Sequence, residues 1–190
     1  MVDMAATTDK EALQIVPAGL GDVGSMEALI RESAFGLGRE EYSDRQIELA
    51  LESAWGVDTQ LVEDGTYYLV MAGERLAACG GWSFRRTLFG NDAEVGRDDS
   101  RIDSAEGAAK VRAFFVHPDF ARKGLGTMLL RHCEEAMLAA GFRKAELMAT
   151  LPGRKLYARH GYEAGEPEEY PLGEGLGITF VPMWKALVGV

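Results

Sequence analysis

Apolar residues recur along this chain with two periods, and their order predicts a mixed α/β fold. A spacing of three or four residues predicts four helices, over 22–35, 44–54, 127–140 and 152–160. Runs rich in β-branched and aromatic residues predict seven strands, over 13–16, 66–72, 75–84, 110–116, 145–150, 162–163 and 178–187. The middle of the chain therefore forms a strand–loop–helix–strand unit.

Polar and glycine residues mark where these elements end. Gly73 and Glu74 form a two-residue turn, which predicts a hairpin from the strands on either side. Ser43 has the hydroxyl group that an N-cap requires, at the start of the second predicted helix. Gly141 and Gly161 directly follow the third and fourth helices, where a C-cap residue is expected.

Length and composition bound the class of protein. A chain of 190 residues predicts one domain over 13–190, preceded by a flexible segment over 1–12. No apolar run approaches the roughly 20 residues that span a bilayer, and the first ten residues lack the pattern of a secretory signal. Two cysteines, Cys79 and Cys133, make no disulfide framework, which favours a cytoplasmic location. No residues have metal-ligand spacing, so no metal is expected.

Charge is unevenly distributed over this acidic chain. The net charge of −10 argues against nucleic acid or an anionic membrane as the main partner. Residues 108–133 nevertheless contain five basic side chains against one acid, which leaves −14 for the remainder. The five are Lys110, Arg112, Arg122, Lys123 and Arg131. Such an island suits a small bound polyanion, and a solvated basic helix face would have the same composition.

The loop before the third predicted helix has the features of a phosphate-binding loop. It contains two glycines separated by one residue, Gly124 and Gly126, and glycine lets a ligand approach the backbone. The helix that begins there presents unpaired N–H groups and about half a positive charge. A diphosphate fits such a helix start, and Arg122 and Lys123 can add charge-assisted hydrogen bonds.

Two other kinds of phosphate loop fit this segment less well. A Walker loop needs Lys-Ser or Lys-Thr after its last glycine, and here Gly126 is followed by Thr127 and Met128. A dinucleotide fingerprint needs a third small residue, where this chain has Leu129. That fingerprint also follows the first strand of its domain, which this loop does not.

The same loop resembles the acetyl-CoA motif of the GNAT N-acetyltransferases, Gln/Arg-x-x-Gly-x-Gly/Ala. Gly124 and Gly126 occupy its glycine positions, after a strand that ends at His117-Pro118. Ala121 departs from the preferred first residue, and the neighbouring Arg122 can compensate for it. The diphosphate contacts that the resemblance implies are in any case mainly backbone amides. A second family segment reads apolar or aromatic, Tyr, three residues, Gly, aromatic. Its places are taken by Leu156, Tyr157, Gly161 and Tyr162.

The resemblance covers the order of elements from 13 to 187 and implies a GNAT fold. In that fold a central, mostly antiparallel sheet of about six or seven strands is splayed between strands 4 and 5 and flanked by about four helices. Acetyl-CoA is the implied co-substrate. Its pantetheine arm would lie in the splay against the main chain of Phe114, Phe115 and Val116. Its diphosphate would contact Arg122, Lys123, Gly124, Leu125, Gly126 and Thr127.

The implied reaction is direct attack of a primary amine on the thioester. Tyr157 is the expected acid for the departing thiolate, and a packing tyrosine is the alternative. The amine, with a pKa of about 10.4, must also lose a proton. Many family members place a glutamate on the fourth strand, where this chain has Lys110 and Arg112. The base therefore stays open among Glu146, an acid within 92–103, His117 and ordered water.

The acceptor is expected to be a small amine or a peptide, with no nucleic acid or membrane partner. Six acids against two arginines within 92–106 suit a cationic acceptor, and a solvated loop would have the same composition. A homodimer is compatible with the sequence. The alternative function is a non-catalytic acyl-CoA-binding or sensing module on the same fold, because the strand carboxylate is missing and Ala121 departs from the motif.

Overall fold

The computed structural model describes residues 12–88, 90, 92 and 98–188, so the predicted flexible segment lies outside the described residues except for Ala12. The strands are β1 (Leu13–Pro17), β2 (Tyr67–Ala72), β3 (Arg75–Ser83), β4 (Ala109–Val116), β5 (Lys144–Thr150), β6 (Glu163–Ala164), β7 (Glu168–Gly173) and β8 (Leu176–Ala186). The helices are α1 (Val23–Gly38), α2 (Asp44–Ser53), α3 (Thr59–Glu63), α4 (Leu125–Ala139) and α5 (Arg154–Arg159). The mixed α/β prediction is confirmed.

Two elements, α3 and β7, were not predicted from the sequence. Helix α3 has five residues, which is too short to show a helical period. Strand β7 is largely exposed, contains Pro171 and lies at an edge, where it pairs antiparallel with β8. Proline in a strand is tolerated at such an edge. These two elements bring the described strands to eight and the described α-helices to five.

The strands form one sheet in the order β1-β2-β3-β4-β5-β8-β6, with β7 also paired to β8. All strand pairs are antiparallel except β4 with β5. The predicted hairpin is confirmed, because β2 and β3 pair across Gly73-Glu74. The mostly antiparallel sheet that the family resemblance implies is therefore present.

The sheet is splayed between β4 and β5. Within these two described strands, only Ala109↔Ala145 and Lys110↔Glu146 pair. On their other sides, β4 stays paired with β3 as far as Val116, and β5 stays paired with β8 as far as Thr150. The two strands therefore separate after their first two residue pairs and leave a gap that opens toward their C-terminal ends.

Helices cover both faces of the sheet. Helix α1 packs on one face, where Met26, Leu29 and Ile30 join a core with Tyr67 and Cys79. Helix α4 packs on the other face, where its buried residues are Leu125, Leu129, Leu130, Cys133 and Met137. Burying an aliphatic side chain of this size contributes about 1.5–3 kcal/mol. This packing fixes the start of α4 beside the C-terminal end of β4. Among the described residues, no helix has the length and apolar character needed to cross a membrane.

Candidate functional site

The connection from β4 to α4 begins with a tight turn held by His117. The His117 Nδ1 atom accepts a hydrogen bond from the Asp119 amide at 3.1 Å and so caps a short 3₁₀ turn. The other ring nitrogen, Nε2, lies 2.6 Å from Glu32 Oε2 on α1. Both nitrogens of His117 thus have partners within the protein, which fits a turn residue better than the general base that was one hypothesis.

The helix start that follows presents its backbone amides without a side-chain cap. Gly124 is the N-cap, with φ of 88°, a left-handed conformation that glycine adopts without strain. In this described segment no side chain caps the helix, and the first intrahelical hydrogen bond runs from the Met128 amide to the Gly124 carbonyl at 3.0 Å. The amides of Leu125, Gly126 and Thr127 precede that bond and are the orphan donors of the first turn. They form a site for an anion.

The basic island predicted from composition is divided in the structure. Lys110 is bonded to Glu146 on β5, and Arg112 lies 2.8 Å from Asp58, whose carboxylate is fully buried. Two of the five basic residues are therefore neutralised by acids from outside the island. The exposed ones are Arg122, Lys123 and Arg131. The positive charge available to a ligand is thus concentrated around the start of α4.

Strand β4 carries a bulge in its pairing with β3, at the level of the gap. Cys79 is opposite Phe115 and Gly81 is opposite Arg112, so Ala113 and Phe114 together face Gly80. Ala113 has φ of 55°, which is unusual for a residue other than glycine and is often found at functional sites. The bulge turns the strand at the level where β5 has already separated from it.

This bulge requires glycine at position 80. A Cβ atom on Gly80 would lie 2.5 Å from Cδ2 of the Phe114 ring. The predicted pantetheine contacts, Phe114, Phe115 and Val116, are half-buried on the part of β4 that does not pair with β5. The Val116 amide donates to Ser33 Oγ on α1 at 3.3 Å, so a hydrogen bond from this amide to a ligand requires Ser33 to give way. Nothing in the sequence pattern indicated Ser33.

Tyr157 lies on α5 with its ring facing the bulge. It is 7% exposed, and its ring centroid is 6.2 Å from that of Phe114 and 5.7 Å from that of Tyr162. Burial, with a smaller contribution from Cys133, raises the pKa of the Tyr157 phenol above its ordinary value. The phenol therefore stays protonated at neutral pH and can donate a proton or a hydrogen bond.

Helix α5 packs directly against the start of α4. A Cβ atom on Gly126 would lie 3.1 Å from Leu156 Cδ2, so glycine allows this close approach. Thr127 Oγ1 lies 3.1 Å from His160 Nε2 at the end of α5. The structure thus brings together the predicted diphosphate loop, the splayed part of β4 and Tyr157. His160 was not predicted as part of this site, because its role depends on a contact across 33 residues of sequence.

Among the remaining candidates for the general base, Glu146, Asp92 and Asp103 have partners within the protein. Glu146 is bonded to Lys110 at the paired end of β4 and β5. Asp92 Oδ1 accepts the Thr59 amide at 2.9 Å, and Asp103 Oδ1 accepts the Ala105 amide at 2.9 Å. Glu94, another acid of this loop, lies outside the described residues. The general base stays unassigned.

The two cysteines are packed in the protein interior. Both are free and fully buried. Burial raises the pKa of Cys79 to about 12 and that of Cys133 still further above its ordinary value. A nucleophilic thiolate is therefore not formed at neutral pH.

Comparison with known proteins gives a family match that spans this site. The family model described as Acetyltransferase (GNAT) family matches residues 26–162, a span that includes the whole site. The chain belongs to the GNAT acetyltransferase family. Its family assigns it to the acetyltransferases, and the loop of Gly124 and the Tyr157 segment both lie within the matched residues. No curated protein matches this GNAT chain significantly.

Solved structures with the same fold cover nearly all of this GNAT chain. A GCN5-related N-acetyltransferase from Rhodopseudomonas palustris is 16% identical, with a TM-score of 0.66 over 92% of this chain and 95% of that one. The PaiA N-acetyltransferase of Thermoplasma acidophilum in complex with coenzyme A is 14% identical, with a TM-score of 0.62 over 92% and 99%. The ribosomal-protein-S18-alanine N-acetyltransferase of Escherichia coli is 12% identical, with a TM-score of 0.59 over 94% and 96%. At these identities the likeness shows the GNAT fold.

Proposed function

We propose that this protein is an N-acetyltransferase that moves an acetyl group from acetyl-CoA to a primary amine of a small molecule or peptide. The observation that carries the proposal is the meeting of two features at the β4–β5 gap. One is the uncapped start of α4 at Gly124, which suits an anion. The other is the buried, protonated phenol of Tyr157, 6.2 Å from the Phe114 ring of β4.

In the binding step, the diphosphate of acetyl-CoA accepts hydrogen bonds from the amides of Leu125, Gly126 and Thr127. Arg122 and Lys123, both exposed, add charge-assisted contacts. The pantetheine arm follows the main chain of β4 where β5 has separated from it. The Thermoplasma acidophilum neighbour is described as a complex with coenzyme A, which supports this ligand for the fold.

In the chemical step, the amine nitrogen attacks the thioester carbonyl carbon, a C–N bond forms and the C–S bond breaks. The departing thiolate takes a proton from the Tyr157 hydroxyl, and the N–H proton that the attacking nitrogen loses as the amide forms returns to Tyr157, directly or through water. Before the attack, the ammonium proton of the acceptor passes to water or to a general base that is not assigned. Holding both reactants in line in the gap supplies a further part of the acceleration.

A thiol-release assay over a broad amine panel tests this function. The panel includes polyamines, aminoglycosides, lysine-bearing peptides and peptides with a free N-terminal alanine. We expect sustained turnover by the wild type and a fall in kcat of about 10²–10⁴-fold in Tyr157→Phe, the usual range for general acid–base catalysis. Tyr68→Phe, at a half-buried tyrosine of β2, is the matched control and should keep wild-type turnover.

A second function, a non-catalytic acyl-CoA-binding or sensing module, is favoured by one observation. The described strand β4 has no carboxylate, and its two charged residues, Lys110 and Arg112, are held in ion pairs with Glu146 and Asp58. Tight acetyl-CoA binding with no turnover on any amine of the panel would favour this module. Equal turnover by the wild type and Tyr157→Phe would instead contradict only the role of Tyr157 as the acid, and the proposed acetyl transfer would stand.

The remaining expectations belong to this proposal as well. We propose a cytoplasmic location, which rests on two free, buried cysteines in the reduced form. A homodimer, and the lack of nucleic acid and membrane partners, stay predictions from the sequence. The cationic acceptor likewise stays a prediction from the sequence.

A further inference from the structure

His160 occupies a position from which it can act on the diphosphate loop. It follows the last residue of α5, and its amide donates to the Tyr157 carbonyl at 2.9 Å. Its Nε2 atom lies 3.1 Å from the hydroxyl oxygen of Thr127, in the first turn of α4. Both side chains are half-buried. One imidazole thus connects the helix that carries Tyr157 to the turn that would hold the coenzyme.

We propose that His160 is a positioning residue that strengthens coenzyme A binding when it is protonated. It then donates to the Thr127 hydroxyl, whose own hydrogen becomes available to the diphosphate. This inference rests on the proposed binding of the coenzyme diphosphate at the start of α4. The role of His160 can nevertheless be tested separately from that binding, because the diphosphate could bind there with no contribution from His160.

The hydrogen-bonding capacity of the two groups gives the reason. A hydroxyl has one hydrogen to donate and two lone pairs with which it accepts. In the neutral tautomer with its hydrogen on Nδ1, Nε2 of His160 accepts the Thr127 hydrogen and leaves only lone pairs toward the diphosphate. When Nε2 carries a proton, it donates to Thr127 Oγ1, and the Thr127 hydrogen is then available to a phosphate oxygen. The positive imidazolium also attracts the diphosphate through the same pair.

The surroundings of His160, burial above all, favour the neutral imidazole in the absence of an anion. Burial is the largest influence and lowers the pKa of His160. Glu134 on α4 raises this pKa, whereas Arg131 on α4 and Lys185 on β8 lower it. Glu134 is itself bonded to Lys185 at 2.8 Å, which weakens its attraction for a proton on His160. A bound diphosphate would be the additional negative charge that favours protonation.

The sign of the linkage follows from this change. If binding raises the pKa of His160, the coenzyme binds more tightly at pH values below the pKa of the free protein. The affinity falls as the pH rises through the pKa of the complex. A shift of one unit corresponds to a tenfold change in the dissociation constant, so we expect Kd to increase about threefold to tenfold between pH 5.5 and 8.0.

Calorimetric titration with 3′-dephospho-coenzyme A tests the inference. This probe has the diphosphate but lacks the monoester phosphate, which itself titrates at a pKa of about 6. We expect the wild type to take up protons on binding, measured in two buffers of different ionisation enthalpy. The pH dependence should disappear in His160→Gln and become weaker in Thr127→Val, where only the charge of the imidazolium acts on the diphosphate. It should persist in Thr127→Ser, which keeps the hydroxyl, and in His132→Gln, a histidine on α4 that packs against Tyr68.

The outcomes separate this inference from the proposed function. A pH slope that is the same in the wild type, His160→Gln and Thr127→Val would overturn the role of His160 and leave the acetyl-CoA site in place. Binding at a constant Kd across this pH range in the wild type would do the same. If the wild type binds neither this probe nor acetyl-CoA at any pH, the proposed function falls and this inference falls with it. Circular dichroism and thermal melts establish that each variant is folded before titration.

Discussion

The buried ion pair between Arg112 and Asp58 makes a quantitative prediction about stability. Arg112 extends from β4, and Asp58 is the N-cap of α3, with nitrogen and oxygen 2.8 Å apart. The side chains are 3% and 0% exposed. Arg112 also donates to the Gly90 carbonyl at 2.9 Å, so it joins three segments of the chain.

Arg112→Met removes the guanidinium and leaves a carboxylate in the protein interior. Breaking a buried pair by removing one partner costs about 3–5 kcal/mol, because the remaining charge keeps its desolvation penalty. Asp58→Asn should have a similar cost, because it leaves the Arg112 guanidinium in the interior without its carboxylate. In the double variant both charges are gone, and we expect a loss smaller than the sum of the two single losses by about 2 kcal/mol or more.

Urea denaturation of the wild type, the two single variants and the double variant measures this coupling. The matched control is the pair Arg39–Asp44, which has the same 2.8 Å separation but side chains that are 59% exposed. Arg39→Met should leave the urea midpoint nearly unchanged. The reasoning is refuted if the Arg112 and Asp58 losses add to within about 0.5 kcal/mol, since that is the behaviour of independent sites.

Two further predictions follow from the packing around the site. Gly80→Ala should lower stability by about 1–3 kcal/mol and weaken acetyl-CoA binding, because its methyl group would displace the Phe114 ring; denaturation and calorimetry measure the two effects, and unchanged binding would contradict the placement of Phe114. Cys79 and Cys133 should not react with a thiol reagent at pH 7–8 until the protein unfolds, since burial keeps both protonated; fast labelling of the native protein would contradict it.

The fold could be predicted where local patterns are strong. Ser43 was expected to cap α2, and its hydroxyl does accept the Gln46 amide. Helix α4 was expected from the spacing of Leu129, Leu130 and Cys133, which all face the core. Strand β7 was missed because an exposed edge strand with Pro171 has no apolar alternation to detect.

The site could be predicted only where its residues are close in sequence. Gly124 and Gly126 stand two residues apart in a loop between a strand and a helix, a pattern with a physical reason that can be recognised. The partner of Arg112 could not be found in this way, because Asp58 lies 54 residues away and is brought to β4 by α3. The same limit applies to Ser33 and His160, whose contacts depend on how α1 and α5 pack.

The central claim is that the backbone amides at the start of α4 bind the diphosphate of acetyl-CoA. Calorimetric titration with acetyl-CoA of the wild type, Gly124→Ala and Gly65→Ala tests it most directly. Both glycines have positive φ, 88° and 71°, and a Cβ atom on either meets no atom within 4 Å. The backbone strain of the two variants should thus be similar, about 1–2 kcal/mol.

We predict that the wild type and Gly65→Ala bind acetyl-CoA equally well. Gly124→Ala should bind about tenfold or more weakly, because a side chain there keeps the diphosphate from the backbone amides. A loss of this size is expected for a hydrogen bond to a charged group. Equal affinities for Gly124→Ala and Gly65→Ala, or no binding by the wild type, would contradict the claim.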